Sequence, residues 1–367
     1  MHSPQPRHPF HTSRAEDRPG HAVALWLTAA FCVFLLGLTL FLGFTFLPEW
    51  RASGASAMEA LLRDLPLGIS MSGDSVLMLA LNKAALLCLA ILPVMLLEAA
   101  LCGWRTSSFA RLMSGRSTSA NYDLLMFTLH LGGLWKFVTQ IFTLGGMILV
   151  TALTAQLIVL CGLFGMRLHT GSVVADVALA FVLFTFTDYW SHRFFHTRMF
   201  WPLHRMHHSA TEMTSLNLWR NHPVAPAIEA FFKVWPFALF DLPPLAVTGI
   251  GLFVLAYLHL IHSNIGWHWG WFGRWILIPP AGHWMHHSDD PNFYGRNLGI
   301  PAIWDRLFGT FADPRLAVSV ERLGVNDAST NTGRLHVEAW RDLVEWLRGL
   351  WRLLPTPGRG TKMTSGD

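Results

Sequence analysis

The chain has 367 residues, of which 52% are hydrophobic and only 14% charged, with a mean hydropathy of +0.37 and a formal charge of +4. Average soluble domains carry about 25% charged residues, so the composition points away from a soluble enzyme and toward the membrane class. No basic patch interleaved with aromatics points to a nucleic-acid partner, and four cysteines (Cys32, Cys88, Cys102, Cys161) without CxxC spacing read as reduced, buried thiols rather than a disulfide framework.

Residues 1–21 are polar, rich in His, Pro and Arg, and predict a disordered N-terminus. Residues 22–47 contain no charge and are long enough to span a bilayer; the apolar core is too long for a signal peptide. A mixed-charge loop is expected over 48–75 and a second span over 76–103, with residues 22–104 forming an accessory membrane unit. The loop that follows carries Arg105, Arg111 and Arg116 with no acid before Asp123, which assigns it and the N-terminus to the cytoplasmic side. Residues 124–141 predict an interfacial or partly buried helix, 143–166 a span, and 173–190 the return to the cytoplasmic side, ending in "DYWSHRFFH". Residues 228–261 predict an apolar helical hairpin turning at "DLPP" (241–244), which need not cross the membrane fully. After 315 the chain becomes polar. Residues 334–354 carry Leu335, Trp340, Leu343, Leu347, Leu350 and Trp351 near one face, as for a membrane-surface helix, a lid, or a packed C-terminal helix. No sheet is expected. The fold predicted is an all-α, polytopic membrane bundle with a histidine-rich helical cap on the cytoplasmic side, its main domain running over 105–315 and a polar, amphipathic segment over 316–367.

Twelve of the 19 histidines fall between 192 and 287, and the phrase His-x-x-His-His appears twice, 79 residues apart, as "HRMHHS" (204–209) and "HWMHHS" (283–288). One such match by chance has a probability of roughly 0.05 in a chain this long. His192 and His196 stand at i,i+4; His204, His207 and His208, and again His283, His286 and His287, stand at i,i+3,i+4, so each set shares a helix face. Pro202 and Pro279–Pro280 precede the triplets and suit the first turn of short helices. Eight neutral imidazoles beside a membrane need eight sets of partners, and eight charged ones repel. Metal coordination resolves both problems, and the count suits two metals with four or five nitrogens each. Asp188, one turn before His192, is a candidate to orient a ligand; Glu212 and Glu229 are weaker candidates for the same role. Taken singly, His222, His259 and His268 read more readily as satisfied structural histidines.

These strings resemble the sterol desaturase and fatty acid hydroxylase superfamily. "DYWSHRFFH" (188–196) matches its HxxxH box; "LHRMHHS" (203–209) and "HWMHHSDDP" (283–291) match its two HxxHH boxes; "NHP" (221–223), "HSNIGW" (262–267) and "RNLGIPAIWDRLFGTF" (296–311) resemble further family segments. The resemblance covers roughly 120–315. It implies an integral-membrane, all-helical oxygenase with a di-iron centre that uses O2 to hydroxylate or desaturate a C–H bond of a lipid. Carried over residue by residue, it implies the ligands His192, His196, His204, His207, His208, His283, His286 and His287, adds His262, and makes His222 a possible further ligand. An external electron donor is implied, since no haem-attachment, flavin or iron–sulfur signature occurs here. Leu298 stands where an aromatic is common, and the glutamate after the His-Pro step is delayed to Glu229; both differences touch the substrate side. A bacterial inner membrane is the expected location, "TKMTSGD" being no endoplasmic-reticulum retrieval signal. Three readings compete: a di-zinc membrane hydrolase, which would use fewer histidines and a carboxylate base; a metal transporter, whose ligands belong mid-span; and an inactive scaffold, which would have lost box histidines.

Overall fold

The computed structural model describes residues 20–63, 72–240 and 242–353. The polar N-terminus predicted over 1–21 lies, but for its last two residues, outside them. Among the described residues there are helices and no strand, so the all-α class holds. In chain order the helices are α1 (Gly20–Phe46), α2 (Pro48–Arg63), α3 (Gly73–Ala85), α4 (Leu92–Cys102), α5 (Ser108–Ser114), α6 (Thr118–Leu131), α7 (Leu134–Phe142), α8 (Gly146–Leu163), α9 (Val173–Phe195), α10 (Trp201–His208), α11 (Ala225–Ala238), α12 (Pro244–Ile261), α13 (Gly270–Trp275), α14 (Pro280–His286), α15 (Ala302–Leu307) and α16 (Leu335–Trp351).

Five segments are long and apolar enough to cross a bilayer: Leu25–Leu42, Asp74–Cys102, Gly146–Leu163, Val173–Phe195 and Pro244–Ile261. The protein is a multi-pass membrane protein. Helices α1 and α8 turn side chains such as Leu25, Phe31, Leu36, Ile148, Leu149 and Leu153 outward, as helices against lipid do. The second span is continuous through a π-helical turn at Leu86–Ile91, where the Leu92 N–H reaches back to the Leu87 carbonyl. Pro93 explains it. Proline cannot donate to residue 89 and its ring crowds that carbonyl, and a widened turn absorbs both defects.

Three local expectations differ from the structure. The first half of the predicted loop over 48–75 is helix α2, because Ala, Met, Leu, Glu and Arg dominate "SAMEALLR" and outweigh the serines and Gly54. The single helix expected over 124–141 is two, broken at Gly133, whose φ of 77° is costly for any residue with a Cβ. The hairpin forms as α11 and α12, with α11 only 14 residues long and interrupted by Pro236.

The histidine-bearing elements gather at one end of these spans. α9 leaves the bundle at Phe195; α10 lies across its end; α12 delivers His262 at its C-cap; α14 completes the layer. Beneath them Phe184, Val254, Tyr257, Ile261 and Ile300 form one apolar cluster, and Phe195, Leu203, Val224, Ala225 and Leu343 another. The second cluster includes α16, which therefore packs on α10. Arg205 of α10 pairs with Asp342 and Glu345 of α16 and lies 3.6 Å from Asp327. The opposite edge of α16 leaves Trp340, Leu347 and Trp351 exposed.

Candidate metal centre

Each histidine phrase ends a short helix that a proline opens. Pro202 sits in the first turn of α10 and Pro280 in that of α14, where a missing N–H costs nothing. His204, His207 and His208 occupy the end of α10; His283 and His286 lie in α14, with His287 at its C-cap. His192 is in the last turn of α9 and His196 is its C-cap. All of these point into one space.

They form two groups. One contains His192, His196, His204, His208 and His286; the other contains His207, His262, His283 and His287. Within each group the available nitrogens lie within 4.8 Å of one another. The two phrases divide in opposite senses. In α10 the i,i+4 pair, His204 and His208, joins the five-membered group and His207 the other. In α14 the i,i+4 pair, His283 and His287, joins the four-membered group and His286 the other. A triplet at i,i+3,i+4 thus serves two centres at once.

The hydrogen bonds decide which nitrogen faces inward. Nδ1 of His192 donates to the Leu298 carbonyl (2.8 Å), that of His286 to the Arg296 carbonyl (2.8 Å), that of His262 to the Leu258 carbonyl (2.7 Å), and that of His207 to the Arg220 carbonyl (3.2 Å). A carbonyl only accepts, so each Nδ1 carries the proton and each Nε2 of the neutral ring presents a lone pair. Those lone pairs face one another: His192 and His286 Nε2 are 3.0 Å apart, and His207 and His262 Nε2 are 3.3 Å apart. Two acceptors at that distance repel unless something positive lies between them. Burial, reinforced by the neighbouring imidazoles, holds His204, His207, His208, His283, His286 and His287 well below the ordinary histidine range, and His196 likewise; burial brings His262 down to about 3. Protonation is therefore not the remedy. Nε2 of His196 and of His208, and Nδ1 of His287, are buried with no hydrogen-bond partner. Orphaned lone pairs, neutral rings and a backbone carbonyl behind the imidazole are the features of a transition-metal site.

The segment 296–299 explains the "RNLG" signature physically. Its carbonyls at Arg296 and Leu298 fix two of the rings. Asn297 turns the chain at φ 53°, a conformation asparagine tolerates, and ties it by donating to the Gly282 carbonyl and accepting from Ala312 N–H. Asp305 accepts from the N–H groups of Leu298 and Gly299 and from Thr310. The Arg220 carbonyl behind His207 is held by a fully buried guanidinium, which pairs with Asp123 at 2.7 Å and donates to the Ser119 carbonyl. None of these supports was read from the sequence; an aspartate or arginine in a predominantly apolar region was the available signal.

Three candidates fall elsewhere. His222 is buried away from both groups, with Nε2 donating to the Ala339 carbonyl (2.9 Å) and Nδ1 accepting from Val224 N–H (3.1 Å), so it has no nitrogen left for a metal. Glu212 bonds Ser117 and lies 3.7 Å from Arg111. Asp188 does not hold His192, whose Nδ1 the Leu298 carbonyl already occupies; it pairs with Lys233 at 3.0 Å, and Lys233 pairs with Glu229 at 3.0 Å.

Two cavities meet the histidines. One is walled by Phe195, Leu218, Leu258, Ile261, Leu298 and Ile300, with Asp188, Glu229 and Lys233 in its lining, and touches both groups through His192, His204, His207, His262 and His283. The other touches only the five-membered group, through His196, His208 and His286, and is lined by Trp201, Tyr294 and Val325.

The fatty acid hydroxylase family model matches residues 177–310. An alkylglycerol monooxygenase of Xenopus tropicalis is 33% identical over 135 residues, 36% of this chain and 30% of that protein. An ornithine lipid hydroxylase of Rhizobium tropici is 31% identical over 145 residues, 38% of this chain and 42% of that protein. A Delta(7)-sterol 5(6)-desaturase of Gibberella zeae is 27% identical over 179 residues, 46% of each chain. The chain thus spans less than half the length of each of these relatives. No solved structure matches it.

Proposed function

Through its 177–310 region the chain belongs to the sterol desaturase and fatty acid hydroxylase superfamily, and on that premise we propose that it is a membrane-bound, O2-dependent lipid hydroxylase or desaturase with two iron ions held by the nine clustered histidines. The observation that carries the reading is the two sets of inward-facing imidazole lone pairs, five and four, each gathered within 4.8 Å. Neutral nitrogen donors suit iron, zinc, copper and nickel alike, and the family favours iron. His192, His196, His204, His208 and His286 would hold one ion; His207, His262, His283 and His287 would hold the other. When bound, the pair of irons supplies oxygen activation and oxidation of a C–H bond, with electrons from an external donor.

The chain's own residues do the rest. Carbonyls of Leu298, Arg296, Leu258 and Arg220 keep the rings of His192, His286, His262 and His207 in the tautomer that leaves Nε2 free. Leu258, Ile261, Leu298 and Ile300 give an apolar wall to the cavity in which a lipid would meet the centre. The arginine-rich loop at 105–116 argues for histidines on the cytoplasmic face of the membrane.

The test is metal analysis with Mössbauer spectroscopy on protein purified anaerobically from cells grown on iron-57. About two irons per chain, made labile to a competing chelator in a His207→Ala/His286→Ala double variant that removes one member of each group, is the expected result. Two zinc ions and no iron, even with iron in excess, would replace the oxygenase with a hydrolase.

A further inference from the structure

Apart from the histidines, Asn221 and Asn297, the polar side chains lining the first cavity gather at one place. Asp188 Oδ1 and Glu229 Oε2 each lie 3.0 Å from Lys233 Nζ, and all three side chains line the cavity beside His192. They are partly open, at 13%, 33% and 31% exposure respectively. Ser191 lines the same cavity; it is 1% exposed, and its Oγ has no hydrogen-bond partner. Four polar groups therefore gather on α9 and α11 at the wall next to the five-membered histidine group. A buried hydroxyl without a partner costs about 1–3 kcal/mol, so a fold keeps one readily only where something else satisfies it. A purely structural Asp–Lys–Glu bridge between α9 and α11 explains the ion pairs and leaves Ser191 unexplained.

From this we infer that Ser191, Asp188, Lys233 and Glu229 form a cradle for the hydroxyl-bearing polar end of the lipid, so that oxidation falls close to that end rather than at mid-chain. The inference rests on the lipid-oxygenase reading above. The geometry follows from α9. Asp188 and His192 are four residues apart, one helical turn, or about 6 Å of rise. A lipid whose polar end engages the cradle brings only its first few carbons to the histidines. A mid-chain carbon would require the polar end to pass the cradle or the apolar chain to lie against three ionised groups, which is costly. Lys233 between two carboxylates leaves acceptor oxygens free for substrate hydroxyls, and Ser191 can donate or accept.

The probes are 1-O-hexadecylglycerol, hexadecan-1-ol and hexadecane, presented to the metal-loaded protein in nanodiscs. Binding is read by displacement of a pyrene-labelled long-chain alcohol, and the oxidised carbon by mass spectrometry of products. The wild type is expected to prefer both hydroxylated probes over hexadecane. Ser191→Ala should lower that preference roughly two- to tenfold, the contribution of one hydrogen bond, with little effect on hexadecane. Glu229→Gln, tested alongside because it keeps shape and removes charge, should lower it further. Any product should carry its new oxygen or double bond within the first few carbons of the polar end. Equal binding of the three probes, a preference unchanged in both variants, or a product oxidised at mid-chain would overturn the inference. A mid-chain product would leave the oxygenase standing; selective binding with no oxidation under O2 and reductant would remove the oxygenase and leave the cradle.

Discussion

The two histidine groups are built from the same phrase used in opposite senses, and they differ by one ring. Each takes an i,i+4 pair from one short helix and the i+3 member from the other. To these three the five-membered group adds His192 and His196 from α9, and the four-membered group adds His262 from the end of α12. Their surroundings differ as well. Three of the four rings in the smaller group and two of the five in the larger line the first cavity, and the other three of the larger group line the second. The smaller group is entirely buried; His192 and His196 of the larger one are not. An open coordination position is what lets a metal meet a substrate or oxygen. On the proposed reading, the four-histidine group leaves more room for such a position than its five-membered neighbour.

The most drastic way to sharpen this comparison is to empty one centre at a time. His262→Ala/His283→Ala leaves two imidazoles in the smaller group and should cost one full metal equivalent, with loss of turnover. His192→Ala/His196→Ala leaves three in the larger group, enough for a weakened site, so metal content should fall only when a chelator competes. Metal analysis before and after dialysis against a chelator separates the cases. Equal losses in both variants would mean that the difference of one ring has no consequence.

A second change should blur the distinction. Arg205 lies in α10, which feeds both groups, and it is held by Asp342 and Glu345 of α16. Its guanidinium is 10% exposed and the Asp342 carboxylate 1% exposed. Leaving one partner of a buried pair without any cation costs roughly 3–5 kcal/mol, and Arg341, 2.7 Å from Asp342, makes that the upper bound here. Arg205→Met should lower thermal stability by up to that amount, and both metals should become labile together. Loss of one metal before the other would show that α10 is not a common support.

The sequence carried the nine histidines because their chemistry is local: i,i+3,i+4 spacing fixes a helix face wherever the helix happens to lie. It did not carry their partition, since which group His207 or His286 joins depends on where the fold places α10 and α14 relative to each other. Asp188 shows the same limit. One turn before His192 is close enough to orient it, but Lys233, 45 positions later, comes within 3.0 Å and takes the carboxylate. The carbonyls of Arg296 and Leu298 that do orient the rings have no side-chain signature at all. The spans were legible from composition; the break at Gly133 and the helical start of the 48–75 segment were not, because short polar helices and glycine turns depend on packing more than on pattern.

The smallest predicted effect separates clustered from solitary histidines. His222 is spent on the Ala339 carbonyl and the Val224 N–H, and burial lowers its pKa from 6.5 to about 4. Between those values the unfolded chain binds a proton that the folded one refuses, so stability rises with pH across this window. Below about 4 the whole penalty is present; above 6.5 it has vanished. A shift of that size amounts to roughly 3 kcal/mol at most. His222→Gln keeps a donor for Ala339 and has no such titration. At pH 7.5 the variant should lose about 1 kcal/mol, one imperfect hydrogen bond. Between pH 6.5 and 5 its thermal midpoint should fall less steeply than that of the wild type. Taking the difference between the two proteins cancels protons competing for the clustered rings, because both carry them. Parallel pH profiles would mean that His222 titrates normally in the folded state, and that burial alone does not keep a histidine neutral here.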